Sequence, residues 1–308
     1  MSETVYIAPT GNDTTGDGSS SNPWLTLTKA VAETTVGDTI IAKAGTHAWD
    51  TIGDLNGNRI LRGETGNRDD VIFDGNGENF TWTISDAFDV GVKETTVKDI
   101  TFTGLYATDT NRKIMVGSGS ITSDCLIENC VFHDIELSGE AANGELFAYG
   151  VVPTGNNSRT IFRKCTMYNI REASGAGNSF ILLTQTNMGD IRLLFEGCTL
   201  YLDGANPINN FARQSTAGSG ADIQIEMKNS IFVNATTGNI AWKTNAHATV
   251  VYTMNHSNFY ASPNSWTNLP TLDANSTTVD PLFISPSSPD RIFELRPGSP
   301  IFKTGTKI

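Results

Sequence analysis

The sequence predicts an all-β, single-domain chain wound as a right-handed parallel β-helix, a solenoid of about seven to nine coils with a short N-terminal helical cap. Three observations predict it: a short segment that recurs along the chain, a strand-like alternation inside each copy, and 29 glycines, which suit tight turns. With 308 residues, 38% of them hydrophobic, the chain is long enough to bury a sizeable core.

The recurring segment is six residues long and returns every 27 to 35 residues, which is the spacing of solenoid coils. Its first, fourth and sixth positions are apolar or small, so each copy contains a strand with one face directed inward. One strand cannot bury that face alone, whereas parallel strands about 4.8 Å apart stack like residues into interior columns. The six clear copies begin at Val97, Ile127, Phe162, Phe195, Met227 and Met254.

The fourth and sixth positions of the copies are predicted to form two interior columns. Three stacked cysteines belong to the first column, and we interpret them as free packing thiols, because side chains in one column point side by side and the spacing matches no zinc motif. The predicted columns are Ile100, Cys130, Cys165, Cys198 and Ser230, and beside them Phe102, Phe132, Met167, Leu200 and Phe232.

One outward position alternates in charge from coil to coil, which supports the register of the repeat. Neighbours in a parallel ladder favour opposite charges, although each exposed pair contributes only about 0–1 kcal/mol. The position is occupied in turn by Lys98, Glu128, Arg163, Glu196 and Lys228.

Both ends of the chain are predicted to cap the coils. Residues 1–45 form the N-terminal cap and first coil, 46–262 the coils, and 263–308 the C-terminal cap, all in one continuous domain. The opening, Tyr6–Asp13 with a helix-like stretch after it, and the closing Val279–Phe283 resemble the caps of pectin-lyase-like right-handed parallel β-helix proteins. The resemblance spans nearly the whole chain and implies the fold. It implies no single activity, because that superfamily includes polysaccharide lyases, hydrolases, epimerases, phage tail spikes and inert structural proteins.

An outward stripe of polar and aromatic residues follows the last interior position of each copy. Such side chains suit stacking on sugar rings or burial against another subunit. Three alternatives stay open: contact with a subunit or partner, a glycan groove, and cover by loops of the same chain. The stripe consists of Thr103, His133, Tyr168, Tyr201 and Tyr260.

Catalytic chemistry has only scattered candidates. A uronate lyase needs a base and a positive group or Ca²⁺, for which Lys164, Arg213 and Lys243 are the candidates, although they do not fall in one column. A hydrolase needs two carboxylates about 5–9.5 Å apart, and no such pair is evident. Asp13 and Asp17 are candidates for a cation, with a solvated turn as the alternative. We therefore expect no cofactor, with Ca²⁺ expected only of a lyase.

The function predicted from these features is a structural or attachment component of a phage virion: a decoration, tail or spike protein that is assembled in the host cytoplasm. This prediction rests on the combination of a fold that is common among exported proteins with a sequence that starts at Met1 without a signal segment. The alternatives are a polysaccharide lyase or hydrolase acting on an acidic polysaccharide, and a cell-surface carbohydrate-binding module, either secreted after loss of its signal. The expected partners are further copies, as a homotrimer, other virion proteins, and a polysaccharide.

Nucleic acid and membrane are not expected as partners. The net charge of −12 disfavours phosphate binding, which depends on Lys and Arg. The sequence also has no run of about 18 apolar residues that would span a bilayer.

Overall fold

A computed structural model gives the fold of most of the chain. No helix within the part it describes is long and apolar enough to cross a membrane. The described residues are 2–49, 55, 58–77, 82–84, 94–106, 114–116, 123–137, 145–149, 157–172, 179–183, 190–204, 208, 210–214, 223–236, 240–244, 250–261, 265–267, 269, 271–283 and 295–300.

The described residues are almost entirely β-structure. The single α-helix among them is α1 (Leu27–Glu33), and a 3₁₀ turn covers Arg68–Asp70. The strands are β1 (Thr4–Ile7), β2 (Thr39–Ala42), β3 (Gly45–Ala48), β4 (Ile60–Gly63), β5 (Val71–Asp74), β6 (Trp82–Ile84), β7 (Glu94–Lys98), β8 (Thr101–Tyr106), β9 (Ile114–Val116), β10 (Ser123–Glu128), β11 (Val131–Leu137), β12 (Glu145–Tyr149), β13 (Asn157–Arg163), β14 (Thr166–Glu172), β15 (Ser179–Leu183), β16 (Asp190–Glu196), β17 (Thr199–Gly204), β18 (Asn210–Gln214), β19 (Ile223–Lys228), β20 (Ile231–Thr236), β21 (Ile240–Thr244), β22 (Val250–Asn255), β23 (Asn258–Ala261) and β24 (Trp266–Thr267).

These strands form three parallel sheets that run the length of a right-handed β-helix, as the sequence predicts. The first sheet has nine strands in the order β1-β2-β4-β7-β10-β13-β16-β19-β22. The second has eight, β3-β5-β8-β11-β14-β17-β20-β23, and the third has seven, β6-β9-β12-β15-β18-β21-β24. The seven coils from β4 to β24 each contribute one strand to each sheet.

The interior columns follow the register of the repeat. In the first sheet Ile127 aligns with Phe162, and Phe162 aligns with Phe195. The rings of Phe162 and Phe195 stack with their centroids 4.8 Å apart. In the second sheet Phe102 aligns with Phe132, and their rings stack at 5.1 Å. All of these side chains are buried, so the core is a set of continuous apolar ladders.

Cys130, Cys165 and Cys198 lie in the turns between the first and second sheets and are buried, unbridged thiols. The Cys165 thiol lies 3.2 Å from the Ile127 carbonyl of the preceding coil, and Cys198 repeats this contact with Phe162 at 3.2 Å. Ser230 occupies the same position one coil later and donates to the Phe195 carbonyl at 3.2 Å. The column is thus a ladder of small donors that satisfy buried carbonyls.

The residue before each member of that ladder has a left-handed backbone. This conformation turns the chain sharply between two sheets, and Gly, Asn and Asp adopt it most readily. The positions are Asp99, Asn129, Lys164, Gly197, Asn229 and His256, with φ of 60°, 51°, 53°, 64°, 49° and 50°.

The N-terminal end is closed by helix α1. Its first turn is capped by Thr26, whose side chain accepts from the Lys29 amide, and its buried Leu27 and Ala30 join the main core. Covering the end of the solenoid in this way protects strand edges that would otherwise pair with other chains.

Candidate functional site

The outward stripe lies along the second sheet, where each member aligns with the next. Thr103 pairs in register with His133, His133 with Tyr168, and Tyr168 with Tyr201. The end of this stripe at Tyr201 is covered by the same chain, and Thr103, His133 and Tyr168 are partly exposed.

The 3₁₀ turn packs against the first residues of strands in the second sheet. The Thr101 hydroxyl donates to the Arg68 carbonyl at 3.0 Å, and the Arg68 guanidinium donates to the Lys164 carbonyl at 3.2 Å. Thr101 and Val131 are consequently buried although they face away from the interior. The turn forms one wall beside the stripe.

A histidine–aspartate pair occupies the middle of the stripe. His133 Nδ1 lies 2.6 Å from Asp134 Oδ2 and 3.3 Å from the Thr103 hydroxyl. The hydrogen bond from His133 holds the pKa of Asp134 below its ordinary value, although partial burial opposes that shift. With Nδ1 bonded to the carboxylate, Nε2 has no hydrogen-bond partner in the part of the chain described and is the nitrogen left to exchange a proton.

His133 and Asp134 share one face because the strand is interrupted between them. Adjacent strand residues normally point to opposite faces, but Asp134 has a φ of 53° and keeps its side chain beside the stripe. Gly104 and Asn169 occupy the equivalent place one coil before and after, with φ of 72° and 48°. Asn169 donates a hydrogen bond to the second carboxylate oxygen of Asp134.

Tyr168 packs against this pair from the next coil. Its ring stacks on His133 with centroids 4.9 Å apart and planes 8° from parallel, so the two rings face each other and present their edges outward. Burial, reinforced by the negative charges of Asp134 and Asp69, raises the pKa of Tyr168 to about 12, with Arg68 opposing. Tyr168 is therefore a neutral hydroxyl at physiological pH.

A cavity of about 330 Å³ lies at the C-terminal end of the stripe. The final segment folds back over the second sheet, pairs Phe283 with Leu295 in antiparallel fashion, and sets the Phe283 ring 6.1 Å from the ring of Tyr201, edge to face. Val233 is buried beneath it. The cavity is lined by Tyr201, Val233, Tyr260, Asp280, Phe283 and Arg296, among others.

Two charged side chains line the cavity and, among the residues that the structure describes, they do not pair with each other. Arg296 donates through Nε to the Phe283 carbonyl at 2.9 Å, and its two terminal nitrogens make no hydrogen bond or ion pair within the described residues. Asp280 accepts from the Leu282 amide at 2.8 Å and forms no ion pair with Arg296. Both groups are accordingly available to a polar ligand.

The three candidate lyase bases do not come together. Lys164 is an exposed turn residue between the first and second sheets. Arg213 and Lys243 belong to β18 and β21 of the third sheet, where Lys243 aligns with Ala212 and not with Arg213. The side chains of Arg213 and Lys243 lie outside the described part of the structure.

The two candidate cation ligands hold the N-terminal loop. Asp13 accepts from the amides of Leu25 and Thr26 at 2.8 and 3.1 Å and from the Thr26 hydroxyl at 2.7 Å. Burial raises its pKa, but these hydrogen bonds outweigh burial and lower it overall. Asp17 accepts from the Ser19 amide at 2.9 Å. Across the described residues, no three His, Cys, Asp or Glu side chains are grouped to hold a metal ion.

The stripe was visible in the sequence, including Tyr201 and Tyr260 of the cavity, but the cavity residues of the final segment were not selected as site residues there. Asp280, Phe283 and Arg296 reach the second sheet only through the return of the final segment, which has no repeat to reveal its position. The sequence did contain one signal for the interruption of the strand beside His133. Gly104, Asp134 and Asn169 occupy the same position in successive coils, and these residue types favour positive φ.

No protein-family model matches this chain, and no curated protein matches it. Among solved structures it is similar to a mannuronic acid specific polysaccharide family 6 lyase from human gut microbiota, with 11% identity and a TM-score of 0.50 over 84% of this chain and 61% of that chain. A rhamnogalacturonan lyase matches with 12% identity and a TM-score of 0.46 over 95% of both chains. A pectate lyase matches with 12% identity and a TM-score of 0.40, covering 97% and 90%. The chain thus has the pectin-lyase-like right-handed β-helix fold.

Proposed function

We propose that the protein binds a polysaccharide along the outward face of its second sheet. The observation that carries the proposal is the cavity of about 330 Å³, where Tyr201, Tyr260 and Arg296 line one recess. Sugar-sized sites combine aromatic or apolar walls with a few polar groups that fix the orientation of the ligand. This recess has that composition.

The polar groups continue beyond the cavity in the direction of the helix axis. His133, Asp134 and Asn169 follow within the next coils, and neighbouring coils are about 4.8 Å apart. A polymer that crosses several coils would meet hydrogen-bonding groups at regular intervals. The geometry therefore favours an extended glycan over a single sugar.

Arg296 favours an acidic sugar within this site. Its terminal nitrogens match the fork of a carboxylate, and such charge-assisted hydrogen bonds are about twice as strong as neutral ones. A protein of net charge −12 repels polyanions elsewhere on its surface, so the Arg296 guanidinium, which forms no ion pair within the described part of the chain, would determine where an acidic chain is held.

The test is calorimetric titration with uronate oligosaccharides and with neutral oligosaccharides of equal length. Arg296→Gln should weaken uronate binding by about tenfold and leave neutral binding unchanged, whereas Tyr260→Ala should weaken both. Lys29→Gln is the matched control, since it removes one positive charge from the exposed face of helix α1. Absence of binding to every glycan on a broad array would refute the proposal.

A second candidate, proton abstraction from a bound uronate, is favoured by the His133–Asp134 pair. The carboxylate at 2.6 Å fixes Nδ1 as the donor and leaves Nε2 as a base. Nε2 would take the proton on the carbon beside the uronate carboxylate, the electron pair of that C–H bond would form the double bond, and the leaving sugar would depart with the glycosidic oxygen, which takes a proton from water.

Product formation tests this second candidate separately from binding. His133→Gln should abolish the ultraviolet absorbance of unsaturated products while oligosaccharide affinity changes little, and Asp134→Asn should lower the rate without abolishing it. If the wild-type protein binds uronates and no such absorbance develops, binding alone is the function.

The virion attachment role, the homotrimer and the virion location stay predictions from the sequence. Genes for capsid and tail proteins beside this one would support them. A gene neighbourhood of polysaccharide-degrading enzymes would instead favour the secreted alternative.

A further inference from the structure

The outward face of the first sheet carries a second pattern, independent of the glycan site. In β10 the side chains of Cys125 and Ile127 are buried, so Asp124, Leu126 and Glu128 face outward. The same alternation holds in the neighbouring strands, so the outward residues form three columns. The columns are Asp124, Arg159 and Arg192; Thr96, Leu126, Ile161 and Leu194; and Lys98, Glu128, Arg163 and Glu196.

The central column is apolar over three coils, from Leu126 to Leu194, with Thr96 before them and Glu226 after them, and the outer two columns carry charges. Leu126, Ile161 and Leu194 follow one another in register; Leu126 and Leu194 are partly exposed, whereas Ile161, like Asp124 in the neighbouring column, is only 8% exposed. An apolar stripe between charged borders is the composition of a protein interface with a dry centre and a polar rim.

The charges reverse sign about the midpoint between β10 and β13. A half-turn about an axis parallel to the strands at that midpoint exchanges β10 with β13 and β7 with β16. Under this operation Asp124 faces Arg159 of a second copy and Glu128 faces its Arg163. Lys98 faces Glu196 of the second copy, and Leu126 faces its Ile161.

We infer that this face binds the same face of a second copy of the chain, with the two helix axes antiparallel. A two-fold interface must be complementary to itself, and the charge pattern of this face is self-complementary under the half-turn described above. The other two-fold arrangement, with the axis along the solenoid, would set Asp124 against Glu128 and Arg159 against Arg163, so like charges oppose it.

The size and preorganisation of the face fit a dimer. About the axis between β10 and β13, eight of the nine strands have a counterpart; at about 4.8 Å apart they give a face about 34 Å long, and pairing two such faces buries on the order of 1,200 Å², at the lower end of the range of specific complexes. Arg159 already lies 3.0 Å from Asp124, and Arg163 lies 2.9 Å from Glu196. These contacts hold the side chains extended along the sheet, so less conformational entropy is lost on association.

The next coil outward does not disrupt the pattern. There Arg62 would face Lys228 of the second copy, and the Lys228 ammonium is already bonded to Glu226 at 2.9 Å. That carboxylate lies on the same face and offsets the two positive charges.

Charge reversal with mixing tests the interface. Light scattering should find the wild-type protein as a dimer, and Asp124→Arg and Arg159→Asp should each weaken association by about tenfold or more, because each sets like charges across the interface twice. Mixing the two variants should restore a heterodimer. The introduced arginine of one chain then meets the introduced aspartate of the other, and the native Arg159 of the first chain meets the native Asp124 of the second. Mixing cannot repair a contact within one chain, so it isolates the intermolecular pair.

The control is Lys29→Glu, a charge reversal on helix α1 away from the first sheet, which should leave the dimer intact. If a reversal fails to fold, Leu126→Cys and Ile161→Cys in separate chains should form a disulfide when mixed and oxidised. A monomeric or trimeric wild-type protein, or variants that stay monomeric when mixed, would overturn the inference. Glycan binding is measured independently, so its failure leaves this result readable.

Discussion

Replacing Lys164 by asparagine is expected to stabilise the protein. Lys164 has a φ of 53°, and a left-handed backbone costs a residue with a long side chain about 1–2 kcal/mol. Asparagine tolerates this backbone better, and Asn129 and Asn229 hold it at equivalent positions of other coils. The side chain of Lys164 is exposed, so little burial is lost.

The expected gain in unfolding free energy is about 0.5–1 kcal/mol, which follows from the relief of strain after the side-chain change is discounted. The backbone contacts stay, since the Lys164 amide donates to the Glu196 carbonyl at 2.8 Å and its carbonyl accepts from Arg68. Equilibrium urea unfolding followed by circular dichroism measures the change as a shift in midpoint at constant slope.

The reciprocal variant is Gly197→Lys, which places a lysine at a φ of 64° and should cost about 1–2 kcal/mol. A Cβ at Gly197 would approach only Lys164 Cγ, at 3.8 Å, so the expected loss is backbone strain and not a clash. An unchanged or lowered midpoint for Lys164→Asn, or an unchanged one for Gly197→Lys, would refute the reasoning.

Three further outcomes are expected from the core, each measured by urea unfolding. Cys165→Ser should cost less than about 1 kcal/mol because Ser230 makes the same contact in the same column; a loss above about 2 kcal/mol would contradict this. Phe162→Ala should cost about 3–5 kcal/mol, since Phe162 stacks on Phe195 within a buried ladder, and a loss below about 1 kcal/mol would contradict it. Burial lowers the pKa of His47, so the unfolded state binds a proton more readily and the free energy of unfolding should fall as the pH drops below about 6.5. His47→Phe should flatten this dependence on pH. If the dependence is unchanged in the variant, another group causes it.

The parts of the structure that repeat could be predicted from sequence. The Phe162 and Phe195 column follows from recurrence alone, because parallel strands convert a spacing along the chain into neighbours in space. The alternating charges at Glu128, Arg163 and Glu196 were equally readable, and the pairs form as expected.

The parts that do not repeat could not be predicted in the same way. Arg296 meets Tyr260 only because the final segment folds back, and no periodicity encodes where a single irregular segment will lie. His133 and Asp134 are neighbours in a strand and would ordinarily point apart, but one left-handed residue brings them together. The candidate site residues that the sequence did not reveal therefore lie at departures from the repeat, where local rules are broken.

The equivalence of successive coils makes the length of the binding face adjustable in whole units. Cys165 precedes Thr166 just as Cys198 precedes Thr199, and the members of each pair align in the ladder. Excising residues 166–198 would rejoin Cys165 to Thr199, a junction of the same two residue types that occur there now. Gain or loss of such a module would lengthen or shorten the proposed glycan site by one coil.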